Sequence, residues 1–152
     1  MNKFISKLKY ILIPVIVGGI VGFIISNFID YDNLNKPFLS PPKIAFPIVW
    51  TILYILMGIS YGILSEKKLL DSKSKFIYYL QLGINALWSI FFFVFKWRLF
   101  SFIWILLLDI VVLIMIIDFY KKDKTAGLIQ IPYLIWILFA SYLNLGVYIL
   151  NK

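Results

Sequence analysis

The 152-residue chain contains neither cysteine nor histidine. The absence of cysteine excludes disulfides and thiol nucleophiles, and the absence of both excludes Cys/His metal sites and the commonest axial ligand of haem iron. Charge is also scarce, since 14% of the residues are charged and only seven are acidic. Any ligand therefore has to be held by packing, ring stacking and hydrogen bonds.

Conventional catalytic machinery is not recognisable in the sequence. It offers no usable carboxylate pair, nucleophile–base pair, phosphate-binding loop or metal cluster. We therefore assign no catalytic residue and no metal site, and we expect no required cofactor.

What the chain has in excess is apolar surface. Hydrophobic residues make up 62% of it and the mean hydropathy is +0.95, which predicts an integral membrane protein. The net charge of +8 would suggest a nucleic-acid partner, but the charges fall between the apolar runs. Membrane topology explains them better, and no nucleic-acid binding is expected.

The apolar runs predict an all-α membrane protein, a single domain over residues 1–152 formed by a bundle of five transmembrane helices. The first run resembles a signal peptide, but it has no small-x-small cleavage site, so we expect a retained helix. The short connection at residues 96–98 predicts that the third and fourth spans are antiparallel neighbours. The predicted spans are residues 10–28, 44–65, 76–95, 99–117 and 126–150.

Five spans place the two termini on opposite sides of the membrane. Ten Lys and Arg residues fall on the side of the amino terminus and five on the other side. The positive-inside rule predicts a cytoplasmic amino terminus, with the carboxyl terminus and the proline-rich first loop, residues 30–43, outside.

Aromatic, polar and small residues recur at helical spacing in three spans. They predict one pocket for a flat, apolar ligand, roofed by the first loop. Tryptophans are also common as anchors at the membrane surface or as plain core residues, and both alternatives remain open. The residues concerned are Phe46, Trp50, Tyr54, Gly58 and Tyr61 in the second span, Tyr78, Gln81, Asn85, Trp88 and Phe92 in the third, and Tyr133, Trp136, Ala140 and Asn144 in the fifth.

Asp109 is the only formal charge inside a predicted span. A carboxylate near the middle of a bilayer costs about 2.5–3.5 kcal/mol, so it must face protein and have a partner. It is either a ligand contact or proton relay, or a group that hydrogen-bonds a neighbouring helix and fixes its rotation. We favour the second reading, because no other charge is available to exchange a proton. Gly58-x-x-x-Gly62 is a candidate dimer seam or a close contact within the bundle.

Several segments resemble the TspO/MBR family, which contains the bacterial tryptophan-rich sensory proteins and the mitochondrial translocator protein, or peripheral benzodiazepine receptor. The resemblance implies a five-helix bundle, usually dimeric, in a bacterial cell membrane. It also implies a pocket beneath the first loop that binds porphyrins such as protoporphyrin IX. The similar segments are residues 31–42, 46–58, 81–89, Asp109 and 132–144.

The family motifs, together with the aromatic face of the second span, define the expected ligand-binding residues. One departure is Lys43-Ile44, where the family usually has Gly-Trp after the double proline. The expected residues are Tyr31, Pro41, Pro42, Trp50, Tyr54, Asn85, Ser89, Trp136 and Ala140.

The leading hypothesis is a membrane receptor or sensor that stacks a tetrapyrrole on Trp50 and Trp136, with its propionates reaching Lys36 or Lys43. One alternative is light-dependent degradation of the bound porphyrin, with tryptophans as redox partners. Another is transport of a porphyrin or sterol-like molecule. The expected partners are a lipophilic small molecule, the bilayer and a second copy of the chain.

Overall fold

The computed structural model describes residues 2–152, with side chains from Leu8 onward. No strand occurs in this part of the chain, and five helical spans are long and apolar enough to cross a membrane. This confirms the predicted all-α bundle. The elements are α1 (Asn2–Ile25), a 3-10 turn (Tyr31–Asn33), α2 (Ala45–Glu66), α3 (Ser72–Ser89) with a π-helical extension (Ile90–Val94), α4 (Arg98–Lys122), α5 (Lys124–Ile129) and α6 (Ile131–Asn151).

The predicted fifth span consists of two helices, α5 and α6, that meet at Gln130. Pro132 lies in the first turn of α6. Because proline has no N–H to donate and its ring collides with the carbonyl four residues earlier, Pro132 removes the hydrogen bond to the Leu128 carbonyl and favours a break here. The last turn of the third span, Ile90–Val94, is π-helical.

The helices are arranged so that α1 packs along α2, while α4 contacts α3, α5 and α6. The contact between α3 and α4 confirms that these consecutive spans are antiparallel neighbours. Gly58 allows the close approach of α1 to α2: a Cβ there would lie 2.3 Å from the Cα of Ile11 and 2.5 Å from the carbonyl oxygen of Tyr10. Gly58 therefore serves contact within the bundle and is not available as a dimer seam.

Asp109 lies in α4 and faces protein, with only 8% of its surface exposed. Ser141 of α6 donates a 2.7 Å hydrogen bond to its Oδ2 atom. This confirms the expectation that the carboxyl group bonds a neighbouring helix. The Oδ1 atom is buried and has no hydrogen-bond partner among the described residues.

Candidate ligand-binding cavity

A cavity of about 680 Å³ lies at the end of the bundle that carries the first loop. Its volume is within the usual range of small-molecule sites. The cavity is lined by Val15, Gly18, Gly19, Val21, Gly22, Ile25 and Ile29 from α1 and the segment after it, Tyr31, Lys43 and Ile44 from the loop region, Phe46, Pro47, Trp50, Thr51 and Tyr54 from α2, Trp88, Ser89, Phe92 and Phe93 from α3 and its extension, and Ala140, Leu143, Asn144 and Val147 from α6.

Trp50 is the centre of the aromatic wall. Its ring is stacked on Tyr54 at a centroid distance of 5.7 Å and lies 6.5 Å from Trp88 of α3. Trp88 is stacked in turn on Phe92 at 5.4 Å. These distances are those of favourable aromatic pairs, so the wall is a continuous surface built from two helices.

Trp136 supports this wall from behind. Its ring meets Trp50 edge-on at 6.5 Å and Phe46 at 5.8 Å, but it does not line the cavity. Its buried indole N–H has no hydrogen-bond partner among the described residues. Trp136 therefore sets the position of Trp50 and Phe46.

Glycines of α1 form the opposite wall. A Cβ on Gly18 would lie 2.3 Å from the ring of Tyr54, whereas Gly19 and Gly22 have no neighbouring atom within 4 Å of that position. Gly18 thus lets the tyrosine ring fit against α1, and Gly19 and Gly22 leave open space. The contribution of α1 was not predicted; the glycines at positions 18, 19 and 22 were the available signal.

A buried hydrogen-bond network forms the floor of the cavity. Tyr54 donates to Asn85 Oδ1 at 3.0 Å, and Asn85 Nδ2 donates to the hydroxyl of Tyr133 at 2.7 Å. The Tyr133 hydroxyl donates to Gln81 Oε1 at 2.7 Å. Side chains of α2, α3 and α6 are therefore joined in one satisfied network directly below Trp50.

The first loop is tied down at several points. Tyr31 donates its hydroxyl proton to the carbonyl of Pro41, and burial raises the pKa of the Tyr31 phenol above its usual value, so it remains a donor at neutral pH. Asn151 at the end of α6 donates to the carbonyl of Asn35 at 2.7 Å and accepts from its backbone N–H at 3.0 Å. The loop is therefore a fixed roof in this structure.

A chain of polar contacts connects the cavity wall to the roof. Trp88 donates its indole N–H to Asn144 Oδ1 at 2.9 Å, and Asn144 donates to the backbone carbonyl of Arg98 at 2.8 Å. Arg98 also donates to the Phe92 carbonyl at 3.0 Å and binds the carboxylate of Asp30. Trp88 is thus linked through Asn144 and Arg98 to Asp30 at the start of the first loop.

Two lysines of the first loop were expected to meet an anionic ligand, and their environments differ. Lys43 lines the cavity, and its only ion pair among the described residues is a loose one with Asp32 at 4.0 Å. Lys36 donates to the carbonyl of Tyr31 at 2.9 Å and lies over its ring. Lys43 is therefore the cation that faces the cavity.

Comparison with known sequences identifies the fold. A model of the TspO/MBR family matches residues 10–150. The chain belongs to the TspO/MBR family. It is 40% identical to the tryptophan-rich protein TspO of Archaeoglobus fulgidus, over 97% of this chain and 98% of that protein.

Other TspO/MBR relatives carry different names. The chain is 36% identical to the tryptophan-rich sensory protein of Cereibacter sphaeroides, over 80% of this chain and 76% of that protein. It is 31% identical to the translocator protein homolog of Schizosaccharomyces pombe, over 92% of this chain and 88% of that protein. Family membership and the five apolar helices together make this chain an integral membrane protein.

The structure divides the ligand-binding residues expected from the TspO/MBR motifs into two groups. Five of them line the cavity: Tyr31, Trp50, Tyr54, Ser89 and Ala140. The other four surround it without lining it: Asn85 in the floor, Trp136 behind the wall, and Pro41 and Pro42 in the loop. Trp88, Phe92 and Asn144, which helical spacing placed on the predicted pocket faces of the third and fifth spans, also line it, and Phe93 lines it without having been expected.

The arrangement favours non-covalent binding. Most of the lining is aromatic or aliphatic, with the Lys43 ammonium at the rim and the Asn144 amide in the wall. Within residues 8–152, no three His, Cys, Asp or Glu side chains are grouped so as to hold a metal ion. Such a surface can stack a planar ring and bind an anionic substituent at its edge.

Proposed function

We propose that this protein is a membrane receptor that binds a flat tetrapyrrole, of the class of protoporphyrin IX, in the cavity below the first loop. The observation that carries the proposal is that Trp50 of α2 and Trp88 of α3 face one shared cavity of about 680 Å³. A planar apolar ring gains both buried area and ring contacts on such a wall.

The charge distribution fits the same ligand class. Tetrapyrroles of this kind carry carboxylates at one edge of an apolar ring. In the proposed pose the ring lies against Trp50 and Trp88, and a propionate reaches the ammonium of Lys43 at the rim. Arg98 is unsuitable for this role, because it is already bound to Asp30.

The names of the relatives favour sensing or translocation as the biological role. One is called a sensory protein and another a translocator protein homolog.

We propose that the chain lies in the cell membrane with ten of its Lys and Arg residues on the cytoplasmic side. We also propose that it forms a homodimer. Cross-linking in native membranes would test the dimer.

Of these roles, the hydrogen-bonded floor favours binding and sensing. A ligand that passed through the bundle would have to break the contacts between Tyr54, Asn85 and Tyr133. Flux of a porphyrin across liposomes containing the protein, at a rate above that of empty liposomes, would support transport instead.

Light-dependent degradation of the bound ring is a second candidate, favoured by the direct exposure of Trp50 and Trp88 to the cavity. Indole rings in contact with an excited porphyrin are suitable redox partners. Illumination of the complex in air decides it: loss of the porphyrin absorption must scale with protein and must disappear in a Trp50→Phe, Trp88→Phe variant.

The test of binding is a titration of the purified protein with protoporphyrin IX, followed by quenching of tryptophan fluorescence. Ala140→Phe fills the cavity from α6 and should abolish saturable quenching. Leu138→Phe is the matched control, because Leu138 is exposed on the same helix and lies outside the cavity. Equal affinity in both variants would reject this cavity as the site.

A further inference from the structure

A second cavity, of about 280 Å³, lies at the opposite end of the bundle. It is formed where α1, the end of α2 and the start of α3 meet. The described residues that line it are Tyr10, Tyr61, Ser65, Lys68, Leu70 and Lys75, none of which lines the first cavity. Five of these six side chains carry a hydroxyl or ammonium group, and Leu70 is the exception.

The polar groups of this second cavity are mostly hydrogen-bond donors. Ser65 Oγ donates to the hydroxyl of Tyr10 at 2.8 Å, which leaves the Tyr10 hydroxyl proton free to bind an acceptor. Two ammonium groups, Lys68 and Lys75, line the same space, and none of the described lining residues is acidic. The cavity is therefore suited to an anion with several oxygen atoms.

Two carboxylates near this end of the bundle are bound by other lysines. Asp71 binds Lys122 at 2.7 Å, and Asp123 binds Lys67. Among the described residues, neither lysine of the second cavity forms an ion pair. Both lysines are exposed and line the cavity, so their ammonium groups are available to an anion that binds there.

The backbone at Lys68 adopts a left-handed conformation at the end of α2. Lys68 has a positive φ of 56°, and the N–H of Leu69 bonds the carbonyl of Leu64 at 2.9 Å. This is the helix-ending motif in which glycine is the favoured residue, because a Cβ strains the left-handed conformation. Here the position carries a lysine, and its side chain lines the cavity.

We propose that the second cavity binds the phosphate group of an anionic phospholipid from the surrounding bilayer. The site is at the end of the transmembrane spans, where lipid head groups lie. Exposed apolar side chains flank it, with Leu8 and Leu12 on α1 and Phe76 on α3, and these provide a surface for the acyl chains. This end also carries ten of the 15 Lys and Arg residues, which attracts an anionic leaflet.

The test is native mass spectrometry of the full-length protein in detergent, titrated with phosphatidylglycerol or with phosphatidylcholine of the same chains. We expect one phosphatidylglycerol to bind, with about tenfold higher affinity than phosphatidylcholine. Lys68→Gln with Lys75→Gln should remove this difference. Lys73→Gln with Lys121→Gln is the control, because both lysines are exposed near the same end and line neither cavity.

Equal loss of affinity in the two double variants would overturn the proposal, since binding would then follow net charge alone. A third titration with inorganic phosphate distinguishes a lipid head group from free phosphate as the ligand. Free phosphate that binds as tightly as the lipid would overturn the lipid assignment.

Lys68→Gly separates binding from folding. It relieves the backbone strain, so the unfolding temperature should hold or rise while phosphatidylglycerol affinity falls; unchanged affinity would contradict the role of Lys68.

Discussion

Arg98 and Asp30 join the start of α4 to the start of the first loop. The Nη2 atom of Arg98 lies 3.1 Å and 3.2 Å from the two carboxylate oxygens of Asp30. The arginine side chain is largely buried, since only 11% of it is exposed. The backbone carbonyl of Arg98 also accepts a hydrogen bond from the Asn144 side chain. Arg98 therefore anchors both the roof and the wall of the cavity.

Release of this anchor should speed ligand exit. Asp30→Asn removes the charge but keeps the shape, and hydrogen bonds to charged groups contribute about 1.5–3 kcal/mol. We expect the dissociation rate of protoporphyrin IX, measured by stopped-flow fluorescence, to increase about tenfold. Lys96→Gln is the control: Lys96 also pairs with Asp30, at 3.5 Å, but is 52% exposed, so it should change the rate little.

Loss of the Trp88 indole N–H should lower the stability of the protein. Trp88→Phe keeps an aromatic ring in the wall but leaves the Oδ1 atom of Asn144 without its donor. A buried acceptor that loses its partner costs about 1–3 kcal/mol. The unfolding temperature in detergent should therefore fall. Trp97→Phe, at the exposed turn before α4, should leave it nearly unchanged, and an equal fall in both variants would contradict the proposed importance of this hydrogen bond.

The stability of the hydrogen-bonded floor should depend on the hydroxyl group of Tyr133. Tyr133→Phe removes the oxygen that accepts from Asn85 and donates to Gln81, in a side chain that is 1% exposed. Two buried amides lose a partner together, so we expect a loss of at least about 2 kcal/mol in stability. Tyr120→Phe on the exposed surface of α4 serves as the control. A Tyr133→Phe protein as stable as this control would show that the network is not needed.

Asp109 should matter for stability more than for ligand binding. The carboxyl group accepts from Ser141 and does not line the cavity. Asp109→Ala should therefore lower the unfolding temperature and leave the affinity for protoporphyrin IX within about twofold of the parent. Asp109→Asn keeps an acceptor for Ser141 and should be the milder change. Normal stability with lost binding would instead make Asp109 a ligand contact.

The end of the bundle that carries the amino terminus should weaken in acid. Hydrogen bonds from Lys122 and Lys67 lower the pKa values of Asp71 and Asp123 below their usual range. A lowered pKa in the folded state adds stability that is complete above the ordinary carboxyl value of about 4 and is lost as the pH falls below it. The unfolding temperature should therefore decrease below about pH 4.

Removal of both carboxylates tests this pH dependence. Asp71→Asn with Asp123→Asn should lower the unfolding temperature near neutral pH and flatten its decrease in acid. The chain has no histidine, so none of its side chains has an ordinary pKa near 6.5 that would mask the effect. Asp32→Asn, in an exposed pair with Lys43, is the control and should leave the acid profile as steep as in the parent.

Periodicity and composition predicted much of this fold correctly, and the errors have local causes. The 3.6-residue repeat placed Trp50 and Tyr54 on one face of the second span, Asn85 on a face of the third and Ala140 on a face of the fifth. All four lie in or directly below the cavity. The apolar pattern does not reveal the break at Gln130, because a proline within an apolar span either kinks the helix, as Pro14 can in α1, or breaks it, as at Pro132. The wall formed by Gly19 and Gly22 was missed because small residues predict close packing as readily as open space.

The sequence by itself determined that the chain contains five apolar helical spans, because hydropathy and helical period are local properties. Its motifs carry the resemblance to the TspO/MBR family, whose model matches residues 10–150. Only the tertiary structure decided that Trp88 lines the cavity while Trp136 stands behind it. It also decided that Lys43, and not Lys36, faces that space. A tryptophan on a helix face has the same spacing whether it borders a void or another ring. The difference arises from the rotation and separation of neighbouring helices, which contacts between distant residues such as Gly58 and Ile11 fix.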